Sequence, residues 1–317
     1  MPFTISKTKE QDLNLLQLTD ASTGIQVKIL PECGALLHEF SIPLGERRLQ
    51  AISSYKNRSD LYQHHPLFYR SAKLSPFPCR IFQGQYQFEG KSYEFKNKFT
   101  DGSAIHGILF NKPFTPMHEN AGDHQASVLL EYEYKKEDPG YPFDYQISVK
   151  YTLKKNGLLS LETKVTNLSS GRIPIADGWH PYFSLEGKVN DWLLTVDAKE
   201  ILAFDKNLIP TGKRIPFIHF SKAARIDTYE FDHCFLLESE TGKPACVLFN
   251  PANRMGLSFF PDKTYPYLQI YTPDDRKSIA IENLSAVPDC FNNGVGLTIL
   301  ERHHSQTFTA QYQLGLQ

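Results

Sequence analysis

Polar and apolar side chains alternate with period two along much of this chain. In Gln146-Ile147-Ser148-Val149-Lys150-Tyr151-Thr152-Leu153 the Ile, Val, Tyr and Leu side chains fall on one face of an extended segment. Comparable short runs, rich in aromatic and β-branched residues, predict strands at 13–18, 25–30, 86–88, 93–95, 127–134, 145–153 and 158–165. Further runs follow at 193–196, 234–237, 245–249, 256–260, 267–271, 279–281 and 306–312. Asn156-Gly157 offers the left-handed pair of a type I′ turn, so 145–165 reads as a hairpin. Glu89-Gly90-Lys91 marks a second, tighter hairpin. One helix is legible at 60–72, weakened by His64-His65-Pro66. Short strands every 8–12 residues or so, without intervening helices, predict an all-β protein, a large antiparallel sandwich or barrel. No repeat, low-complexity tract or linker interrupts it, so residues 1–317 read as one domain.

Composition narrows the partners. Lys and Arg number 34 against 35 Asp and Glu, a net charge of −1, which gives no reason to expect nucleic acid or an anionic membrane. No apolar run reaches the roughly 20 residues of a membrane span. The first eleven residues lack the apolar core of a signal peptide, which predicts a cytoplasmic protein. The five cysteines (33, 79, 234, 246 and 290) form no Cys-x-x-Cys and predict free, mostly buried thiols.

Candidate chemistry lies in a few short segments. Of eleven histidines, His64-His65 and His303-His304 are adjacent pairs, and neighbours on a strand point to opposite faces. There is no His-x-His and no His-Glu-x-x-His, so no metal site is signalled. His38, His118, His124 and His219 read as surface or structural groups. His106 precedes a glycine that would let a ligand or another backbone approach. His180 lies in Gly178-Trp179-His180-Pro181-Tyr182-Phe183, whose flat rings suit the C–H face of a sugar. His233 follows Asp232. Taken singly, each of these three reads more simply as a half-buried ring in a polar hole of an aromatic core. Arg80 is reached through two prolines and offers several fixed donors, either to hydroxyls or to a surface salt bridge. Glu282 ends the apolar run 279–281, and alone reads as a solvated strand-end charge. The chain has no Gly-x-Ser-x-Gly, no Walker loop and no Gly-x-Gly-x-x-Gly at a strand–helix junction.

In their order these segments resemble the aldose 1-epimerase (galactose mutarotase-like) family. They are Ser75-Pro76-Phe77-Pro78-Cys79-Arg80-Ile81, Ile105-His106-Gly107, Gly140-Tyr141-Pro142, Gly178-Trp179-His180-Pro181-Tyr182-Phe183, Asp232-His233-Cys234-Phe235, Leu268-Gln269-Ile270-Tyr271-Thr272-Pro273 and Ile281-Glu282, followed by Pro288-Asp289 and Asn292. The resemblance spans nearly the whole chain. It implies a large β-sandwich (a supersandwich) with a sugar cleft and no cofactor. It implies His180 as acid and Glu282 as base, with Arg80, His106, Asp232 and Gln269 gripping a monosaccharide substrate. Such a protein would work as a monomer or weak homodimer. Three positions depart from the better-known mutarotases. Cys79 stands where they carry asparagine, Ile108 follows Gly107 where they carry a second glycine, and Pro181 follows His180 where they carry serine. The Gly-Trp-His-Pro-Tyr-Phe form resembles a less characterised branch. The tryptophan-rich segment of the related hexose-6-phosphate 1-epimerases is absent from 75–81. A non-catalytic carbohydrate-binding protein on the same sandwich is the other alternative.

The implied reaction opens and re-closes a sugar ring. Glu282, ionised at neutral pH, would take the anomeric proton. His180, with an ordinary imidazole pKa near ~6.5, would protonate the ring oxygen. Activity would then fall on both sides of an optimum. The two side chains would face one another across a pocket with one pyranose between them.

Overall fold

The computed structural model describes residues 1–238 and 242–316. Three antiparallel sheets make up most of it. The first orders Phe3–Glu10, Leu13–Asp20, Ile25–Leu30, Leu36–Leu44 and Arg47–Gln50 as a simple meander. The second has nine strands and is built around Gln125–Tyr134, Tyr145–Lys154, Leu158–Asn167, Ser305–Leu316 and Met255–Pro261. The third runs Pro210–Pro216, Ala198–Phe204, Asp232–Leu237, Tyr267–Tyr271, Ile279–Leu284, Gly178–His180 and Ala72–Leu74, with Tyr182–Phe183 also paired to Ile279–Leu284.

The second and third sheets stack face to face. Period-two alternation decides which side chains meet there. From the third sheet Trp179 packs on Tyr151, and Phe183 packs on Phe259 and Tyr312. Tyr312 OH donates to Asn283 Oδ1 at 2.8 Å across the same interface. Residues one position along, at 180, 182 and 282, therefore point to the opposite face, away from the core.

Fourteen predicted strand segments fall on observed strands, though Phe95 and Ala245 lie just outside their own. The two hairpins exchange turn types. Glu89-Gly90 is the two-residue connection, both residues left-handed, because Phe88 pairs with Lys91. Lys154 pairs with Leu158, so the other connection has three residues, with Asn156 and Gly157 left-handed as expected. The predicted helix is present as Arg58–Phe68, capped by Asn57, with Pro66 in its last turn. Pro66 removes one backbone donor near an end where the helix stops anyway. No described helix is long and apolar enough to cross a membrane.

Candidate active site

One antiparallel register assembles the floor of a pocket. Gly178 stands opposite Leu284, Trp179 opposite Asn283 and Tyr182 opposite Ala280. The same register sets His180 against Glu282, two residues far apart in sequence. On the other side Glu282 pairs with Gln269, which pairs with Cys234. A second row, two residues along, runs Tyr182, Ala280, Tyr271 and Asp232. Cross-strand partners share a face, so the first row presents imidazole, carboxyl and amide side by side. Between the two tyrosines, Ala280 keeps the second row low.

His180 Nε2 and Glu282 Oε1 are 3.3 Å apart. Gln269 Nε2 donates to Asp232 Oδ1 at 2.7 Å. The His180 ring is stacked on Tyr182, with centroids 5.0 Å apart and planes at 11°. The pocket above holds about 330 Å³ and is lined by all six residues that the resemblance implicates, His180, Glu282, Arg80, His106, Asp232 and Gln269. That volume falls in the usual range for a small-molecule site.

The facing wall hangs on a two-residue ladder. Ile105 pairs with Arg80, and His106 N–H donates to Cys79 O at 2.7 Å. His106 and Cys79 are both left-handed. Gly107 lies against the backbone of Ser75, so a Cβ there would meet Ser75 O at 2.1 Å. The sequence left open whether this glycine admits a ligand or a second backbone, and it admits a backbone. Ring contacts then link Tyr69 to His106 and His106 to His180, at 4.7 and 4.8 Å between centroids. Arg80 lines the pocket and is also ion-paired with Asp101, which is the salt bridge the sequence offered as one of its two readings.

Burial sets the electrostatics. His180 is 5% exposed and Glu282 only 2%. Loss of water lowers the His180 imidazole to about 3. It raises the Glu282 carboxyl well above its usual value, with the Asp232 charge adding to the effect. His106 is lowered as well, by desolvation and by the neighbouring His180 and Arg80. Glu282 is thus neither solvated nor at a strand end, since its strand continues to Leu284. Among the described residues, four fully buried pocket atoms have no hydrogen-bond partner: His106 Nδ1, His180 Nδ1, Gln269 Oε1 and Glu282 Oε2.

Behind the floor lies a fully buried ion pair. Lys73 Nζ donates to Asp177 Oδ1 at 2.5 Å and to Gly178 O at 2.9 Å, and stands 4.3 Å from the centroid of the Trp179 ring. Tyr265 OH donates to the same Asp177 oxygen at 2.5 Å. These bonds tie down the chain just before His180.

Other sequence expectations fare unevenly. Of the aromatics around His180 only Tyr182 reaches the pocket, because Trp179 and Phe183 are turned into the core. His233 stays outside, packed on Phe217 and Tyr229. All five cysteines are free and buried, and Cys79 lines the pocket. The rim of Leu67, Phe68, Tyr69, Phe99, Phe204 and Leu208 was not anticipated. These apolar residues are scattered over segments with no chemistry of their own, and only the fold gathers them.

The structure is thus a stacked antiparallel sandwich with a buried histidine–glutamate pair in an outer pocket. The aldose 1-epimerase family profile matches residues 14–313, and the chain belongs to that family. It is 24% identical to the maltose epimerase of Levilactobacillus brevis over 96% of this chain and 95% of that one. It is 26% identical to the galactose mutarotase of Sus scrofa over 71% of this chain and 68% of that one. A galactose mutarotase-like protein from Clostridium acetobutylicum has the same fold, with a TM-score of 0.88, 20% identity and coverage of 100% and 99% of the two chains. The protein is an isomerase, an aldose epimerase.

Proposed function

We propose that the protein interconverts the α and β anomers of a free hexose, with Glu282 taking the anomeric proton and His180 supplying one to the ring oxygen. The supporting observation is the 3.3 Å contact between His180 Nε2 and Glu282 Oε1. Nothing fits between groups so close, so the sugar lies over the pair and not between its members. That suits the chemistry, because the oxygen that loses a proton and the oxygen that gains one are both borne by the anomeric carbon. Burial drives the two groups toward a state with one proton between them. Glu282 acts as base once that proton has passed to His180, a transfer across the contact that leaves the charge of the pair unchanged. After the open aldehyde rotates, the same pair runs in reverse and no proton is consumed. Each positioned group contributes about 10²–10⁴-fold.

Arg80, His106, Asp232 and Gln269 hold the remaining hydroxyls. The unpartnered His106 Nδ1 and Gln269 Oε1 supply hydrogen-bonding capacity for this, and Arg80 supplies fixed donors. Tyr182 and the apolar rim cover the C–H faces. Among the described pocket residues Arg80 is the one Lys or Arg, and it already faces Asp101. A phosphorylated hexose would need further cations, so a neutral sugar fits better. The relatives named for maltose and galactose define the sugars to test. We read the chain as one cofactor-independent domain, cytoplasmic, monomeric or weakly dimeric.

Polarimetry tests the reading. Freshly dissolved α-glucose, α-galactose, maltose and glucose 6-phosphate are followed with and without protein. Faster decay of rotation for at least one unphosphorylated sugar is expected. Decay at the spontaneous rate for all of them refutes the assignment.

A further inference from the structure

Among the described residues, one trio of His, Cys, Asp and Glu side chains brings its ligand atoms within 4.8 Å of one another: His106, His180 and Glu282. Two imidazoles and one carboxylate are a donor set that binds zinc while leaving a fourth position open. A tetrahedral ion with bonds of about 2.0–2.2 Å keeps neighbouring ligand atoms roughly 3.3–3.5 Å apart. His180 Nε2 and Glu282 Oε1, at 3.3 Å, already form such an edge.

The third corner needs a modest movement. The three ligand atoms lie within 4.8 Å of one another, so reaching a tetrahedral edge takes a closure of at most roughly 1.4 Å. The His106 backbone is pinned by the bond to Cys79 O and by the contact of Gly107 with Ser75. Its ring is packed between Tyr69 and His180 but makes no hydrogen bond at Nδ1, so a shift of the ring toward Glu282 breaks no hydrogen bond at that atom. The second carboxyl oxygen, Glu282 Oε2, is also buried and unpartnered, and can hold a metal-bound water. Nitrogen-rich sites select ions of the zinc, cobalt and nickel group over Mg²⁺ or Ca²⁺.

We propose that the pocket is a chelating site for a single divalent transition-metal ion of the zinc class, held by His106, His180 and Glu282, and that the bound ion shuts off the epimerase by occupying the acid–base pair. Metal and sugar compete for one volume. The fourth ligand is water or a sugar hydroxyl entering through the mouth. No spacing in the chain signals this site, because its ligands come from three separated segments.

The experiment uses the whole chain stripped with a chelator. Zn²⁺ binding is read by calorimetry, and Co²⁺ by its visible spectrum, which distinguishes four-coordinate from six-coordinate ions. One ion per chain with a four-coordinate Co²⁺ spectrum is expected. Zn²⁺ should slow mutarotation at least tenfold, with recovery on adding chelator and relief by excess sugar. His106→Ala and Glu282→Gln, checked for unchanged melting, should each weaken Zn²⁺ at least tenfold. A His303→Ala/His304→Ala control at an exposed pair should not. The proposal is overturned by absence of binding at millimolar Zn²⁺, by binding that sugar does not displace, or by binding that survives both pocket variants. The Co²⁺ spectrum needs no turnover, so a failure here is distinguishable from a failure of the epimerase reading.

Discussion

A carboxyl and an imidazole in contact titrate as one unit. The expectation of a limb near the ordinary imidazole pKa came from treating His180 as solvated. Burial moves both limbs outward, with the imidazole lowered to about 3 and the carboxyl raised. Below the lower limb the pair carries two protons and has no base, and above the upper limb it carries none and has no acid. Among the described residues, the other ionisable groups lining this pocket are His106, Arg80, Asp232, Cys79 and the tyrosines Tyr69, Tyr182 and Tyr271, and burial raises the thiol and the three phenols further from neutrality. In the presence of chelator, kcat/KM at pH 5 should therefore lie within about twofold of its value at pH 7. A fall centred near ~6.5, the solvated imidazole value, would contradict the pairing. Glu282→Gln should lower kcat by about 10²–10⁴-fold while calorimetry still detects sugar. Residue identity was legible in the motifs, but protonation was not. Glu282 looked solvated because only the pocket above it and the sheet behind it reveal its burial.

Strand register turns remote residues into neighbours. Two supports fix it here, and each makes a prediction. Asp177→Asn would leave the Lys73 ammonium buried against a neutral partner. Losing one member of a buried pair costs about 3–5 kcal/mol, and chemical denaturation should show a loss of that order. Gly107→Ala would press a Cβ into Ser75 O and require an unfavourable left-handed backbone. A lower melting temperature with a raised KM is expected, and an unchanged KM would show that His106 does not depend on that close approach. Inner strands with clean alternation, such as Tyr145–Lys154, were legible because one face is apolar and the other polar, whereas the inner strands Leu36–Leu44 and Ala198–Phe204 were missed. Thr115–Ala121 and Pro210–Pro216 were missed, and their side chains are almost all exposed. Both stand at sheet edges, where no burial imposes alternation.

At the scale of the molecule, the all-β class followed from turn spacing and aromatic content, which left sandwich and barrel open; the family resemblance chose the sandwich, and neither gave the strand order. Which strands lie next to which is set by contacts such as Tyr151 on Trp179, and no local pattern encodes them. Burial of all five thiols is testable as a global property. A thiol reagent should find almost none reactive in the native protein and five after denaturation. Rapid labelling of two or more native thiols would contradict the packing.

The pocket draws on two independently anchored parts. His180 and Glu282 sit on the large sheet, braced from behind by Lys73 and Asp177. Arg80 and His106 hang on a separate short ladder, and the apolar rim comes from the helix, from loops, and from Phe204 and Leu208 at one end of the large sheet. Substitutions in the ladder and rim can accumulate without disturbing the proton-transfer row. Cys79 and Ile108, two of the departures from the better-known mutarotases, fall on or beside that ladder. A lineage could therefore exchange one sugar for another by remodelling the outer wall alone, and grafting 79–81 and 104–108 from a relative should carry its preference across with the chemistry intact.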